Sequence, residues 1–568
     1  MKWYYLSVCI EILIILGAHS QTNITLPTKK GLIIGHRFSP NPATGAHYDA
    51  FIGIPYGKIQ GRFQLALPRD PWREPLITQS DGPACPQPTG SYNEDCLYLN
   101  VFTPVNASAV PGNLSVMAFI HGSGFTGSSS SSQMFGPDFL IPEGVILVAM
   151  NYRLGAPGFL TLGSKVAPGN LGLHDTRLAL EWVRDEISTF GGNPTKVTLF
   201  GQSAGSVMTQ FHYISSLSSD LFTKAIAHSG SALAEWGLVS YTEATRRAKM
   251  LAQGLGCDTS QNDSSVLSCL QAVDIKSIIA HELIDLPINN IASGNSFCFV
   301  PVLDNYETAE KPFFNDTSLN NMMQQAAARA KPLITGFTTE EGIFKFEDNS
   351  WKLAQDNLAA FIPQNVQEAL GDEEKTSLAS DIALYYFPNA IDENKVEDLV
   401  RIYTDTMFAY PSIQVSKYFA NLTYGYLFAY IGSWAPAPPY FAPYKLQGVR
   451  HADDLFYLFY SSLPGWGAQN LENCKVNQGN LNMKTNMVKW WTSFAKTGKP
   501  DPSWKTISEN GYLVIDSQLS SMNTTMFESR FYNFWAGMKQ QSGSSAGSLQ
   551  LSLVWFFTSS LLMISVIR

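Results

Sequence analysis

Lys196-Val197-Thr198-Leu199-Phe200-Gly201-Gln202-Ser203-Ala204-Gly205 is the stretch on which the reading of the fold turns. Its first five residues are apolar or β-branched and read as a buried strand. Gly201-Gln202-Ser203-Ala204-Gly205 then matches the G-x-S-x-G turn, and Ala204 to Phe211 can open a helix. A strand, a sharp turn and a helix around one serine give that motif its structural meaning. The glycines are needed because the turn holds Ser203 in a strained conformation where bulky neighbours would clash.

The pattern repeats outward from this turn. Leu114–Ile120, Val145–Met150, Leu333–Thr335 and Tyr424–Tyr430 also read as strands, several of them almost wholly apolar. Such runs fit a sheet covered on both faces. Leu178, Ala179, Trp182, Val183 and Ile187 fall at helical spacing and place a helix near 175–190. Strands alternating with helices predict an α/β domain with a mostly parallel central sheet flanked by helices. No linker-like stretch interrupts the chain before Gln540, so residues 21–541 are expected to form one domain.

Composition narrows the function classes. The 568 residues are 45% hydrophobic and 15% charged, which excludes a disordered chain. A net charge of −9 offers no basic footprint for nucleic acid. No internal repeat of 20–50 residues is present, which removes solenoids and propellers.

Ser203 is the candidate nucleophile, and a serine hydroxyl needs a base to become one. In chains with this kind of turn the order is serine, acid, histidine. Only His212, His228, His281 and His451 follow Ser203. His212 lies on the helix leaving the turn, too close in the chain to leave room for the acid. His228 precedes Ser229-Gly230 on the next expected strand. His451, in the polar segment Gly448-Val449-Arg450-His451-Ala452-Asp453-Asp454, is the candidate base. For the acid, the expected strand at 333–335 runs into Phe337-Thr338-Thr339-Glu340-Glu341-Gly342. The residues alone do not separate Glu340 from Glu341.

Several longer motifs now stand in order along the body. They are Gly53-Ile54-Pro55-Tyr56, Arg62-Phe63, Glu94-Asp95-Cys96-Leu97-Tyr98-Leu99-Asn100-Val101, Asn151-Tyr152-Arg153-Leu154-Gly155, Gly169-Asn170-Leu171-Gly172-Leu173 and Phe190-Gly191-Gly192-Asn193-Pro194. Through them the chain resembles the type-B carboxylesterase and cholinesterase family over some five hundred residues. The resemblance implies an α/β-hydrolase fold and ester hydrolysis without a metal or cofactor. It places the acid just before a glycine, hence at Glu341, and the base at His451. It places the oxyanion hole at His121-Gly122-Ser123-Gly124-Phe125, with the backbone N–H groups of Ser123, Gly124 and Ala204 as donors. Ser123 departs from the family pattern, which has glycine there. The N–H survives that change, but the backbone loses freedom.

The resemblance also implies disulfides Cys85–Cys96 and Cys257–Cys269. Cys298 and Cys474 are left over, either as a third bridge or as two thiols. Trp236 and Phe297 match the family's acyl-pocket aromatics and imply a snug apolar acyl site. Cholinesterase-like members carry a tryptophan before Glu-Asp-Cys, where this chain reads Gln87-Pro88-Thr89-Gly90-Ser91-Tyr92-Asn93. They also carry Glu before the nucleophile, where Gln202 stands here, as in juvenile hormone esterases and some other arthropod carboxylesterases. The loss of an aromatic face and of a negative charge points to neutral esters rather than choline esters. A non-catalytic adhesion relative of the same fold typically loses a triad member, and all three stand here.

Both ends read as processing signals. Lys2, the apolar run Trp3–Gly17 and Ala18-His19-Ser20 resemble a secretory signal over residues 1–20. Its removal takes Cys9 and leaves six cysteines for an oxidising compartment. Sequons at Asn23, Asn106, Asn113, Asn262, Asn315, Asn421 and Asn523 agree with that compartment. Residues 542–568 begin with Ser542, Gly543 and Ser544, then run through small polar residues into an apolar tail, Leu549 to Ile567. That layout suits attachment of a glycolipid anchor, with a spanning helix as the alternative. The expected partners are a small-molecule ester and a membrane reached through the C-terminal tail, with the body facing outward.

Overall fold

A computed structural model describes residues 22–38, 44–109, 112–284, 297–343, 357–362, 370–388, 396–434, 448–463 and 477–542. Cys474, the expected secretory signal and the tail from Gly543 onward lie outside them.

The centre is one 13-stranded sheet. In chain order its principal strands are β1 (Thr22–Thr28), β2 (Gly31–Phe38), β3 (Tyr48–Pro55), β4 (Tyr98–Pro104), β5 (Leu114–Ile120), β6 (Val145–Met150), β7 (Gly192–Gln202), β8 (Lys224–His228), β9 (Leu333–Thr338), β10 (Thr423–Phe428), β11 (Tyr512–Ile515) and β12 (Ser521–Met522). Across the sheet the order is β1-β2-β3-β4-β6-β5-β7-β8-β9-β10-β11-β12. From β6 to β11 every neighbouring pair is parallel. The strands before β6 in that order, and β12 at the far edge, pair antiparallel.

The parallel strands read as unbroken apolar runs because each side of the sheet is covered. Val116, Ala118 and Ile120 of β5 enter one core, whereas Met117 and Phe119 enter the other. In β6, Ile146, Val148 and Met150 part in the same way from Val145, Leu147 and Ala149. Alternation is therefore real, but both faces are apolar.

The expected strands 114–120 and 145–150 are matched residue for residue, while the strand at 196–200 extends to Gly192–Gln202 and that at 333–335 to Leu333–Thr338. The expected strand Tyr424–Tyr430 runs instead from Thr423 to Phe428. Helix α1 spans Leu171–Glu186 and passes into a 3-10 turn, Ile187–Phe190, so it starts earlier than the apolar spacing alone suggested. Asn170 sets that start. It takes φ 55° and brackets Val302 with both ends of its amide, at 2.8 and 3.0 Å. Three more helices matter below: α2 (Ala204–Ile214), α3 (Tyr241–Gly254) and α4 (Gln478–Thr497).

Buried histidines make stability pH-dependent. His212 of α2 is wholly buried, with Nε2 2.8 Å from Thr176 Oγ1 and Nδ1 2.9 Å from Ser218 Oγ. Burial pulls its pKa down to about 3. An unfolded histidine titrates near 6.5, so below that pH the unfolded chain binds a proton that folded His212 refuses. Its stabilising contribution is complete above about 6.5 and is lost as pH falls toward 3. Urea midpoints measured from pH 7 to 5 are expected to fall less steeply in His212→Gln than in the wild type. Equal slopes would refute this account.

Candidate active site

The turn at Ser203 owes its shape to close approaches that only glycine permits. A Cβ on Gly201 would lie 2.2 Å from the Gly205 carbonyl oxygen, and one on Gly205 would lie 2.0 Å from that of Ile120. Ser203 takes φ 57° and ψ −124°, a region that costs a non-glycine residue about 1–3 kcal/mol. The Ser203 N–H donates to the His228 carbonyl at 2.8 Å, which stitches the turn to β8.

The loop after β5 lies directly against this turn. A Cβ on Gly122 would stand 2.8 Å from Ser203 Cβ. Ser123, Gly124 and Phe125 then follow with φ 75°, 59° and 63°. Ser123 therefore occupies a left-handed conformation that glycine would adopt freely, and it keeps its N–H there. Tyr152 braces the loop from behind: its hydroxyl donates to the His121 carbonyl at 3.0 Å and its ring stacks on His121 at 4.6 Å. Burial lowers the His121 pKa to about 4, so that ring stays neutral at ordinary pH.

His451 reaches the turn from 249 residues downstream. Its Nδ1 lies 2.5 Å from Glu341 Oε2, and its Nε2 lies 3.0 Å from the Gln202 side-chain amide nitrogen. An amide N–H can only donate, so Nε2 accepts and the ring proton sits on Nδ1, aimed at the carboxylate. This is the tautomer a general base requires, and its Nε2 lone pair is taken here by the Gln202 amide, the residue next to Ser203. Glu341 is fully buried, and its other oxygen accepts the Thr338 N–H at 2.7 Å.

The structure also separates the two adjacent glutamates. Glu341 turns toward the imidazole, whereas Glu340 holds the loops together through its backbone. The Glu340 N–H donates to the Val449 carbonyl at 2.9 Å, and Glu340 bridges to Arg450. Gly448 makes this approach possible, since a Cβ there would fall 2.1 Å from Glu340 Cγ. Arg450 and Asp453 pin the far side of the histidine loop, with Arg450 Nη2 donating to Asp453 at 3.0 Å.

An aromatic wall runs from the Gly124 loop to the His451 ring. The Phe297 ring lies against Gly124, meets Trp236 edge-on at 6.0 Å, and Trp236 continues to Phe408 at 5.7 Å. Phe408 lies 4.8 Å from the His451 ring. The Trp236 indole N–H donates to the Met407 carbonyl at 2.8 Å, fixing one side of the wall.

A family model, the carboxylesterase family, matches residues 21–535. The chain belongs to the carboxylesterase family. Acetylcholinesterase of Bungarus fasciatus is 30% identical over 559 residues, covering 92% of this chain and 86% of that one. Cholinesterase of Mus musculus is 30% identical over 543 residues, covering 89% and 85%. The crystal structure of juvenile hormone esterase from Manduca sexta, with OTFP covalently attached, is similar with a TM-score of 0.79 at 25% identity. That likeness covers 91% of this chain and all of the other. Membership makes the chain a serine ester hydrolase with the α/β-hydrolase fold.

Both expected disulfides are present, Cys85–Cys96 and Cys257–Cys269. Cys298 is a free thiol among the described residues, and burial pushes its pKa up to about 11; Cys474, the other half of the expected third bridge, lies outside them. Gln87 is buried in the short loop between Cys85 and Cys96. It exchanges two hydrogen bonds with the Ser128 backbone at 3.0 and 2.9 Å. All seven sequon asparagines are exposed. Asn262 and Asn523 cap helices through their side-chain oxygens, which leaves the amide nitrogen for a glycan.

Sequence reasoning missed two contributors. Phe408 lies in a π-helical turn, Asp405–Ala409, where 3.6-residue periodicity breaks and gives no warning. The second is a buried network beneath the turn. The Trp491 indole N–H of α4 donates to His228 Nε2 at 2.8 Å, so His228 is neutral with its proton on Nδ1. That proton goes to Asp454 Oδ2 at 2.7 Å, and the Tyr426 hydroxyl donates to the same oxygen at 3.0 Å. Asp454 stands three residues past His451, so the network ties the His451 loop to the end of β8, whose His228 carbonyl in turn accepts the Ser203 N–H. Its only signal was the pair Asp453-Asp454, which reads as a solvated loop.

Proposed function

We propose that the chain hydrolyses neutral carboxylic esters through an acyl-enzyme on Ser203, on the outer surface of the cell. The observation that carries this is the His451–Glu341 contact of 2.5 Å with the opposite ring nitrogen turned toward the serine turn. Ser203 Oγ attacks the ester carbonyl while His451 Nε2 takes its proton, and Glu341 stabilises the imidazolium. Negative charge then builds on the carbonyl oxygen, facing the N–H groups of Ser123, Gly124 and Ala204. The imidazolium gives its proton to the leaving alcohol. Water, deprotonated by the same ring, then releases the acid and restores Ser203.

Trp236, Phe297 and Phe408 form the acyl side of the pocket in this reading. Their apolar rings favour small neutral acyl groups. The cholinesterase relatives raise choline esters as a second substrate class. Neutral Gln202 and a Cys85–Cys96 loop without tryptophan argue against a quaternary ammonium. Display outside the cell rests on the leader-like residues 1–20, two disulfides, seven exposed sequons and the run of small residues from Ser542 into an apolar tail.

Intact cells expressing the full chain test both parts together. They are expected to hydrolyse externally added nitrophenyl butyrate at least tenfold faster than butyrylthiocholine. A phosphatidylinositol-specific phospholipase is expected to move that activity into the medium. Preference for the choline ester would refute the substrate reading, and activity that stays on the cells would refute the glycolipid anchor.

A further inference from the structure

The backbone at Phe297 is held by a buried arginine. Arg247 sits on α3 and is 5% exposed. Its Nη1 donates to the carbonyls of Phe297 and Cys298 at 2.9 and 3.1 Å. Its Nε donates to Glu243 Oε1 at 2.8 Å, one turn earlier on the same helix. Arg246 grips the same carboxylate with two bonds of 2.7 Å, so the carboxylate is itself anchored.

The far side of Phe297 is the oxyanion loop. A Cβ placed on Gly124 would fall 2.2 Å from a Phe297 ring atom, so ring and loop touch. Further along, the segment is fastened by the Val239 N–H to the Pro301 carbonyl at 3.1 Å and by Asn170 to Val302. Those ties fix Pro301 and Val302, four and five residues from the ring. At Phe297 itself the anchoring comes from Arg247. A planar guanidinium suits this task because its donors point in several fixed directions and can span a carboxylate and two carbonyls at once.

We propose that Arg247 is a specificity-determining positioning residue: by gripping the carbonyls of Phe297 and Cys298 it sets the depth of the acyl pocket and keeps the ring against Gly124. The proposal rests on the reading of Trp236 and Phe297 as the acyl wall. Arg247 touches neither substrate nor reacting atoms and acts through Phe297. Lysine at 247 cannot span the carboxylate and both carbonyls together, and methionine fills space but leaves the carbonyls unpaired. Either change frees the ring to lean away from Gly124 and deepen the pocket.

The test compares nitrophenyl acetate with nitrophenyl hexanoate in the purified ectodomain-bearing full chain, with rates expressed per site titrated by a fluorescent phosphonate. Arg247→Lys and Arg247→Met are expected to raise the hexanoate-to-acetate ratio of kcat/KM at least fivefold. Glu243→Gln is expected to move it about twofold in the same direction. A merely structural arginine would lower the number of titratable sites and leave the ratio where it was, and that result overturns the proposal. Should Arg247→Met give no titratable sites, the ratio in Arg247→Lys and Glu243→Gln decides. Phe408→Ala, at the other end of the same wall, serves as the control. If it too leaves the ratio unchanged, the acyl-wall reading fails; if it alone raises the ratio, the role given to Arg247 fails.

Discussion

Ser203→Ala is expected to abolish ester turnover, lowering kcat by roughly 10,000-fold to a million-fold, the range seen when the nucleophile of a catalytic triad is removed. In the proposed mechanism the hydroxyl is the group that becomes bonded to the acyl carbon, so no neighbouring side chain replaces it. Ala fits the same backbone as Ser at φ 57°, with Gly201 and Gly205 still providing the close approaches, so the turn survives the change. The variant should therefore keep wild-type melting behaviour and lose the burst of nitrophenol that marks acylation. Loss of activity together with loss of folding would not fit this account. Neither would a folded variant that kept more than about one part in a hundred of its rate, since a nucleophile then lies elsewhere.

The second large effect concerns stability rather than chemistry. Arg153 and Asp175 form a buried pair, with side chains 3% and 0% exposed. Arg153 Nη2 and Nε each donate to Asp175 at 2.7 Å, and the Arg153 backbone N–H adds a third bond at 3.1 Å. The remaining arm, Nη1, donates to the Gln64 carbonyl at 2.6 Å. Asp175→Asn leaves the guanidinium charged and buried without its counter-charge. Such a change costs about 3–5 kcal/mol, which is a large share of the stability of an ordinary domain.

Urea unfolding followed by tryptophan fluorescence is expected to show that loss as a lower midpoint. Arg153→Met combined with Asp175→Leu is expected to recover at least half of it, because the cost lies in the orphaned charge and not in the missing attraction. A double variant as unstable as Asp175→Asn would refute that explanation. Catalysis should suffer too in the single variant. Arg153 follows Tyr152, which braces the loop at His121, so a disturbed pair is transmitted to that loop.

Much of the fold was legible because its signals are local. The Gly-x-Ser-x-Gly turn, the strand before it and the helix after it are all signalled within ten residues, although the contact that requires Gly205 is with the distant Ile120 carbonyl. The strands at 114–120 and 145–150 were matched to the residue, since each apolar run stops at a polar residue, His121 or Asn151, even though both of those are buried. The start of α1 was misplaced because Asn170 sets it through Val302, 132 residues away in the chain. Periodicity carries no trace of such a contact.

The same division runs through the site. Residue types and their order nominated a hydroxyl, a carboxyl and an imidazole, and left Glu340 and Glu341 undivided by chemistry alone. Phe408, His228, Asp454 and Arg247 carried no motif, because what each does depends on partners tens to hundreds of residues distant. Local sterics and composition by themselves determined that this chain would build a buried sheet ending in a strained serine turn. Which carboxylate faces the ring, which nitrogen carries its proton and how the aromatic wall is held were decided only in three dimensions, where hydrogen-bond direction and contact distance first take definite values.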